Sequence, residues 1–164
     1  MSPSATQAHL PAVGDDVRRA VGGELQATLL ELIDLSLWGK QLHWTVVGPL
    51  FRALHERLDE LVGSWRDLAD TVAERAVAIG YWPDAQAGAV AATHERREAE
   101  GAVEDRTVLR LLAARLTEVS ARARERVDRL GELDPISQDV LIEVVRELEQ
   151  QLWMSRAQLP PTGM

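Results

Sequence analysis

Cysteine is absent from this sequence of 164 residues, and lysine occurs only at Lys40. Without cysteine there are no disulfides, thiolate ligands or thiol nucleophiles, so metal ligands must be imidazole or oxygen groups. The net charge of −8 at pH 7 argues against a surface built to bind nucleic-acid phosphates, because such surfaces depend on lysine and arginine. Nucleic acid is therefore not the first partner to consider.

Long apolar runs are also missing, as is a basic and then apolar leader segment. We therefore expect no membrane span, no signal peptide and a cytoplasmic location. A hydrophobic content of 46% over this length is sufficient for one compact domain. We expect a flexible N-terminal arm over residues 1–16, a helical domain over 17–159 and a short tail over 160–164.

Four segments show the three- and four-residue apolar spacing of amphipathic helices. They predict helix A over 24–45, helix B over 50–79, helix C over 105–130 and a helix D that begins after residue 134. A break at Gly22 and Gly23 would mark the start of helix A, and Asp134 would be the N-cap of helix D. The apolar stripes are Leu25, Leu29, Ile33 and Leu37 on helix A, Leu58, Leu61, Trp65, Leu68 and Val72 on helix B, and Ile136, Val140, Val144, Leu148 and Leu152 on helix D.

The connection between helices B and C is long, and a short helix is expected within it over 85–92. Four long helices with one long crossover predict an all-α, ferritin-like four-helix bundle.

Helix B also carries a set of polar side chains away from its apolar stripe. At about 100° per residue, His55, Asp59, Asp70 and Glu74 share a face, and they form two pairs that are each four residues apart. An ordinary solvated helix face is the alternative interpretation of any one carboxylate. The two pairs are separated by about 16 Å of helix rise, which is too far for one metal site in one chain.

A two-fold dimer with antiparallel copies of helix B would bring each His55 and Asp59 pair to the partner's Asp70 and Glu74 pair. The axis would pass near Gly63 and Ser64, where a glycine lets backbones approach closely. His43, near the end of helix A, would complete each site. Two imidazoles and three carboxylates suit Fe(II), and Zn(II), Co(II) or Mn(II) would also fit.

The run KQLHWTVVGPLFRALHERLDE, with the later spacing in DLADTVAERA, resembles the signature of the Dps family, the miniferritins named as DNA-binding proteins from starved cells. The resemblance extends over about residues 24–158 and returns in LIEVVRELEQQLW. It implies a ferritin-like bundle assembled as a hollow dodecamer. Ferroxidase centres between two-fold related subunits would oxidise Fe(II), with hydrogen peroxide preferred to dioxygen, and ferric oxide would be stored in the cavity.

Carried over by position, the resemblance makes His43, His55 and Asp59 the ligands of one subunit, and Asp70 and Glu74 those of its partner. Trp44 and Trp153 match family tryptophans near the centre that absorb stray oxidising equivalents, with core packing as the alternative. An acidic iron-entry pore at the start of helix D would use Asp134, Asp139 and Glu143, although Asp134 is also explained as the N-cap.

DNA binding in this family commonly depends on a basic terminal arm, whereas residues 1–16 contain no lysine or arginine. We therefore expect weak or absent DNA binding and an iron-oxidising, iron-storing protein. The alternative is a nucleoid-associated architectural protein that protects DNA and whose metal site is incidental or structural. A helical interaction module is a third interpretation, but it leaves the spacing on helix B unexplained.

Overall fold

The chain is described over residues 13–93 and 101–160 by a computed structural model. These residues form the helices α1 (Asp15–Thr45), α2 (Phe51–Ala78), α3 (Ala87–Thr93), α4 (Asp105–Leu130) and α5 (Pro135–Arg156). Two short strands, β1 (Val46–Val47) and β2 (Val103–Glu104), pair in parallel. The four long helices and the crossover through α3 confirm the predicted all-α ferritin-like bundle. Within the described ranges, no helix is long and apolar enough to cross a membrane.

The core lies between the α1–α2 pair and the α4–α5 pair. All five residues of the stripe predicted on helix B are buried, and the fully buried Trp65 is the largest of them. The stripes predicted on α1 and α5 are wrong at one end, because Leu37 and Ile136 are 54% and 64% exposed. A strict four-residue repeat advances about 40° per step around a helix, so its ends leave the buried face.

The predicted helix break at Gly22 and Gly23 is wrong, because α1 runs through both residues and begins at Asp15. Gly22 is buried under the ring of Tyr81, and a Cβ added there would overlap that ring. Close packing therefore explains this glycine better than helix termination. The short crossover helix begins at Ala87, slightly later than predicted. Residues 1–12 of the predicted arm and 161–164 of the predicted tail lie outside the described residues.

Alanine substitutions at the two neighbouring glycines should change the thermal unfolding midpoint in opposite directions. Gly22→Ala should lower the thermal unfolding midpoint because the new methyl group collides with Tyr81. Gly23→Ala should raise the midpoint, since the added Cβ meets no atom within 4 Å beyond the neighbouring backbone of its own helix, and alanine favours a helix interior over glycine by about 1 kcal/mol. Thermal unfolding of the two variants at one protein concentration checks this pair, and equal shifts would contradict it.

Candidate metal centre

His43 and His55 form a reciprocal pair where the end of α1 meets the start of α2. His43 Nδ1 donates to the main-chain oxygen of His55 at 2.8 Å, and His55 Nδ1 donates to that of His43 at 2.9 Å. The two rings stack with their centroids 3.6 Å apart and an interplanar angle of 21°. His43 is buried and His55 is partly exposed.

These hydrogen bonds determine which nitrogen of each ring can bind a metal. A main-chain carbonyl can only accept, so each Nδ1 carries the proton and each Nε2 of the neutral ring keeps a lone pair. Metal-binding histidines commonly donate their other nitrogen to a carbonyl in this way, which orients the ring. These hydrogen bonds therefore leave Nε2 of each ring as the nitrogen that could act as a metal ligand.

Asp59 lies beside this pair. One carboxylate oxygen is 3.9 Å from His43 Nδ1, and Lys40 donates a hydrogen bond to the same oxygen. The pKa of Asp59 is lowered from its ordinary value chiefly by the Lys40 hydrogen bond, with desolvation opposing and the nearby imidazoles assisting. The carboxylate is thus held in the ionised form that binds cations, and its present counter-ion is the only ammonium side chain of the sequence.

Asp70 and Glu74 are exposed on the other half of α2 and are not brought to the histidines within one chain. Over 13–93 and 101–160, no three His, Asp or Glu residues of a single chain form a group able to hold a metal ion. Gly63, between the two halves, is exposed and has open space around its Cα. His43, His55 and Asp59 thus lie near the start of α2, apart from Asp70 and Glu74, and we treat the two sets as proposed half-sites of a centre that one chain does not complete.

The connection between α1 and α2 is held by Asp105, a residue that the sequence analysis did not select. Asp105 Oδ2 accepts the main-chain N–H of Leu50 at 2.7 Å. Gly48 has φ of 122°, and a Cβ at this residue would lie 2.6 Å from the same oxygen. The sequence signal for this contact was limited to the Gly48-Pro49 turn, since nothing in it pointed to α4.

Trp44 and Trp153 are 69% and 66% exposed, so the core-packing alternative is wrong for both within the chain. Trp44 directly follows the buried His43 at the end of α1, and Trp153 lies in the last turns of α5. Their role as sinks for oxidising equivalents stays a prediction.

The three predicted pore residues differ in their surroundings. Asp134 occupies the N-cap position of α5 as predicted, and its Oδ2 accepts hydrogen bonds from Arg75 at 2.6 Å and from Ser137. Burial opposes ionisation of Asp134, but these hydrogen bonds outweigh it and hold its pKa below the ordinary value. Asp139 and Glu143 are exposed on α5. Asp134 is therefore engaged within the chain, whereas the other two carboxylates face outward.

The chain is similar to known proteins both in sequence and in structure. A family model described as "Ferritin-like domain" matches residues 23–161. The DNA protection during starvation protein of Mycolicibacterium smegmatis is 37% identical over 157 residues, covering 94% of this chain and 85% of the relative. A structure of Mycobacterium smegmatis Dps superposes with a TM-score of 0.87 at 33% identity, covering 94% of this chain and 96% of that one. DpsA14 from Streptomyces coelicolor gives a TM-score of 0.87 at 35% identity, with coverages of 96% and 94%.

Proposed function

Because the chain belongs to the Dps family of ferritin-like proteins, we propose that it is a cytoplasmic miniferritin that oxidises Fe(II) and stores the ferric product in a hollow dodecameric shell. The observation that carries the proposal is the reciprocal His43–His55 pair, whose hydrogen bonds orient two imidazoles beside the ionised Asp59. Such nitrogen and oxygen ligation suits Fe(II) as substrate, and Zn(II), Co(II) and Mn(II) would compete for the same ligands.

The complete centre requires a second copy of the chain. Two copies of α2 cross antiparallel about an axis near Gly63 and Ser64, so that Asp70 and Glu74 of one subunit face the histidine half-site of its partner. The open surface at Gly63 supports close approach of the two helices. Each dimer then contains two equivalent centres, and an arriving Fe(II) replaces the Lys40 ammonium as the cation paired with Asp59.

The ligands also account for the direction of the chemistry. Hard carboxylates stabilise Fe(III) relative to Fe(II), so binding favours oxidation. With hydrogen peroxide, two Fe(II) supply two electrons, the O–O bond breaks, and two protons are taken up to give two Fe(III) and two waters. This two-electron route releases no hydroxyl radical, and it is the basis on which we propose protection from oxidative damage. Dioxygen is the second candidate oxidant.

The relatives named for DNA protection raise the alternative that this chain coats DNA. We propose instead that DNA binding is weak or absent, since residues 1–16 contain no lysine or arginine and each chain carries a net charge of −8. Under the DNA-coating alternative, the assembled protein would retain duplex DNA in a gel at low salt, and loss of the metal ligands would not affect retention.

The iron proposal is tested with Asp59→Ala and Glu74→Ala, which remove one ligand from each half-site. Each variant is loaded anaerobically with Fe(II) and mixed with hydrogen peroxide while Fe(III) absorbance is followed. We expect oxidation to slow by at least about tenfold in both, because losing even a hydrogen-bond partner of a ligand has an effect of this size. The control is Glu60→Ala, since Glu60 is next to Asp59 but is paired with Arg57 at 2.8 Å. Wild-type rates in both ligand variants would show that the centre is wrongly assigned.

A further inference from the structure

We propose that Asp105 is a positioning residue for the metal centre: from α4, it holds the α1–α2 connection in the conformation that stacks His43 on His55. The inference deepens the proposed function and rests on it for its consequences in metal binding. Asp105 accepts hydrogen bonds from the main chain of Leu50 and Arg106, neither of which is a predicted ligand, so it acts through the connection and not by coordination.

The carboxylate of Asp105 is buried and needs hydrogen-bond partners. Asp105 is 2% exposed, and a carboxylate at such a position is costly unless hydrogen bonds satisfy its oxygens. Oδ2 accepts the N–H of Leu50 at 2.7 Å, and Oδ1 accepts the N–H of Arg106 at 2.7 Å. The bond to Leu50 joins residues that are 55 positions apart in the sequence. It therefore fixes the residue just before α2 against the first residue of α4.

The strand pairing and the glycine next to this hydrogen bond fit the same conformation of the connection. Val46 pairs with Val103 and Val47 with Glu104, so β1 is bound to the two residues that precede Asp105. Gly48 then turns with positive φ and leaves room for the carboxylate, since any Cβ would lie 2.6 Å from Oδ2. The β1–β2 pairing, the turn at Gly48 and the Asp105–Leu50 hydrogen bond therefore fix three successive points of the connection between the two histidines.

The connection between α1 and α2 also sets the relative position of the two histidines. His43 lies in the last turn of α1, just before β1, and His55 lies in α2 just beyond Leu50. Their reciprocal hydrogen bonds of 2.8 and 2.9 Å form only when the end of α1 and the start of α2 keep a fixed separation and a fixed relative rotation. Hydrogen bonds weaken steeply with poor geometry, so a shift in the connection would free both rings from their orientation.

Cobalt binding tests this role apart from catalysis, because Co(II) reports its ligand geometry through its visible absorption. The assembled protein and its variants are titrated with Co(II) anaerobically, and thermal unfolding is measured in parallel. We expect Asp105→Ala to weaken Co(II) binding about tenfold and to alter the spectrum. Asp105→Asn should weaken it less, because the amide oxygen can still accept the Leu50 N–H. The control Asp128→Ala removes an exposed carboxylate from the same helix, and it should change neither the Co(II) affinity nor the spectrum.

A lower unfolding temperature with unchanged Co(II) affinity and spectrum in Asp105→Ala would overturn the proposal, since it would assign the residue to stability alone. If Asp105→Ala does not assemble, Asp105→Asn decides by the same criterion. If the wild type binds Co(II) no better than His55→Ala, the proposed centre itself is wrong. The crystal structure of metal-free Asp105→Ala then decides: displaced histidine rings support the positioning role, and unmoved rings overturn it.

Discussion

Two variants of this chain that each lack half of the proposed ferroxidase centre are expected to regain about a quarter of the wild-type number of complete centres when they assemble together. One variant carries His55→Ala and Asp59→Ala, and the other carries Asp70→Ala and Glu74→Ala. Each alone lacks half of every centre. In a mixed dimer, one centre combines the two intact halves, and the other combines the two damaged halves.

The expected fraction follows from random pairing. Equal amounts of two subunits give about one half mixed dimers, and one of the two centres in each mixed dimer is complete. The recovery depends on the separation of the half-sites along α2, which prevents Asp70 and Glu74 from reaching the histidine pair of their own chain. A centre contained within one subunit would give no recovery, because every copy would lack ligands.

Coexpression of the two variants, followed by the Fe(II) and peroxide assay, measures this recovery. The control is the same pair expressed and assembled separately and mixed immediately before the assay, so that activity should stay at the level of the variants. Activity in the control equal to that of the coexpressed sample would mean that the damaged centres retain function. No activity in the coexpressed sample would contradict a centre shared between subunits, but it would not contradict the assigned fold.

The parts of this molecule that the sequence predicts well depend on one helix at a time. The stripe that ends in Val72 follows from helical periodicity, as does the placement of His55 and Asp59 four residues apart on α2, and periodicity needs no knowledge of what the helix packs against. The hydrogen bonds of His43 with His55 were not predictable in this way, although both residues were selected, because they depend on the shape of the connection between two helices.

The features missed by sequence reasoning are contacts between residues far apart in the chain. Gly22 is explained only by Tyr81, which reaches it from beyond the end of α2. Asp105 is explained only by Leu50, and Asp134 forms its ion pair with Arg75 across 59 positions. No local pattern marks these residues, because a glycine or aspartate near a helix terminus is also common for local reasons. Sequence alone therefore selected the candidate ligands, whose role stays a prediction, but not the residues that hold them in place.

Trp65→Ala is expected to give the largest loss of stability among single substitutions in α2. The side chain is fully buried, and a Cβ on Gly39 of α1 would lie 2.6 Å from its ring. Its indole N–H donates to Gln151 of α5 at 2.7 Å. Trp65 thus joins three helices, and its removal leaves a cavity that we expect to cost about 4 kcal/mol per subunit.

Comparison with Trp65→Phe separates packing from hydrogen bonding. Phenylalanine keeps most of the ring but leaves the amide oxygen of Gln151 without its indole donor, and we expect a cost of about 1–3 kcal/mol. Urea unfolding at one subunit concentration measures both variants, since assembly makes stability depend on concentration. Trp153→Ala, which removes an indole that is 66% exposed, is the control. A midpoint for Trp65→Ala equal to that of Trp153→Ala would contradict the central packing role, because the buried and the exposed indole would then contribute alike.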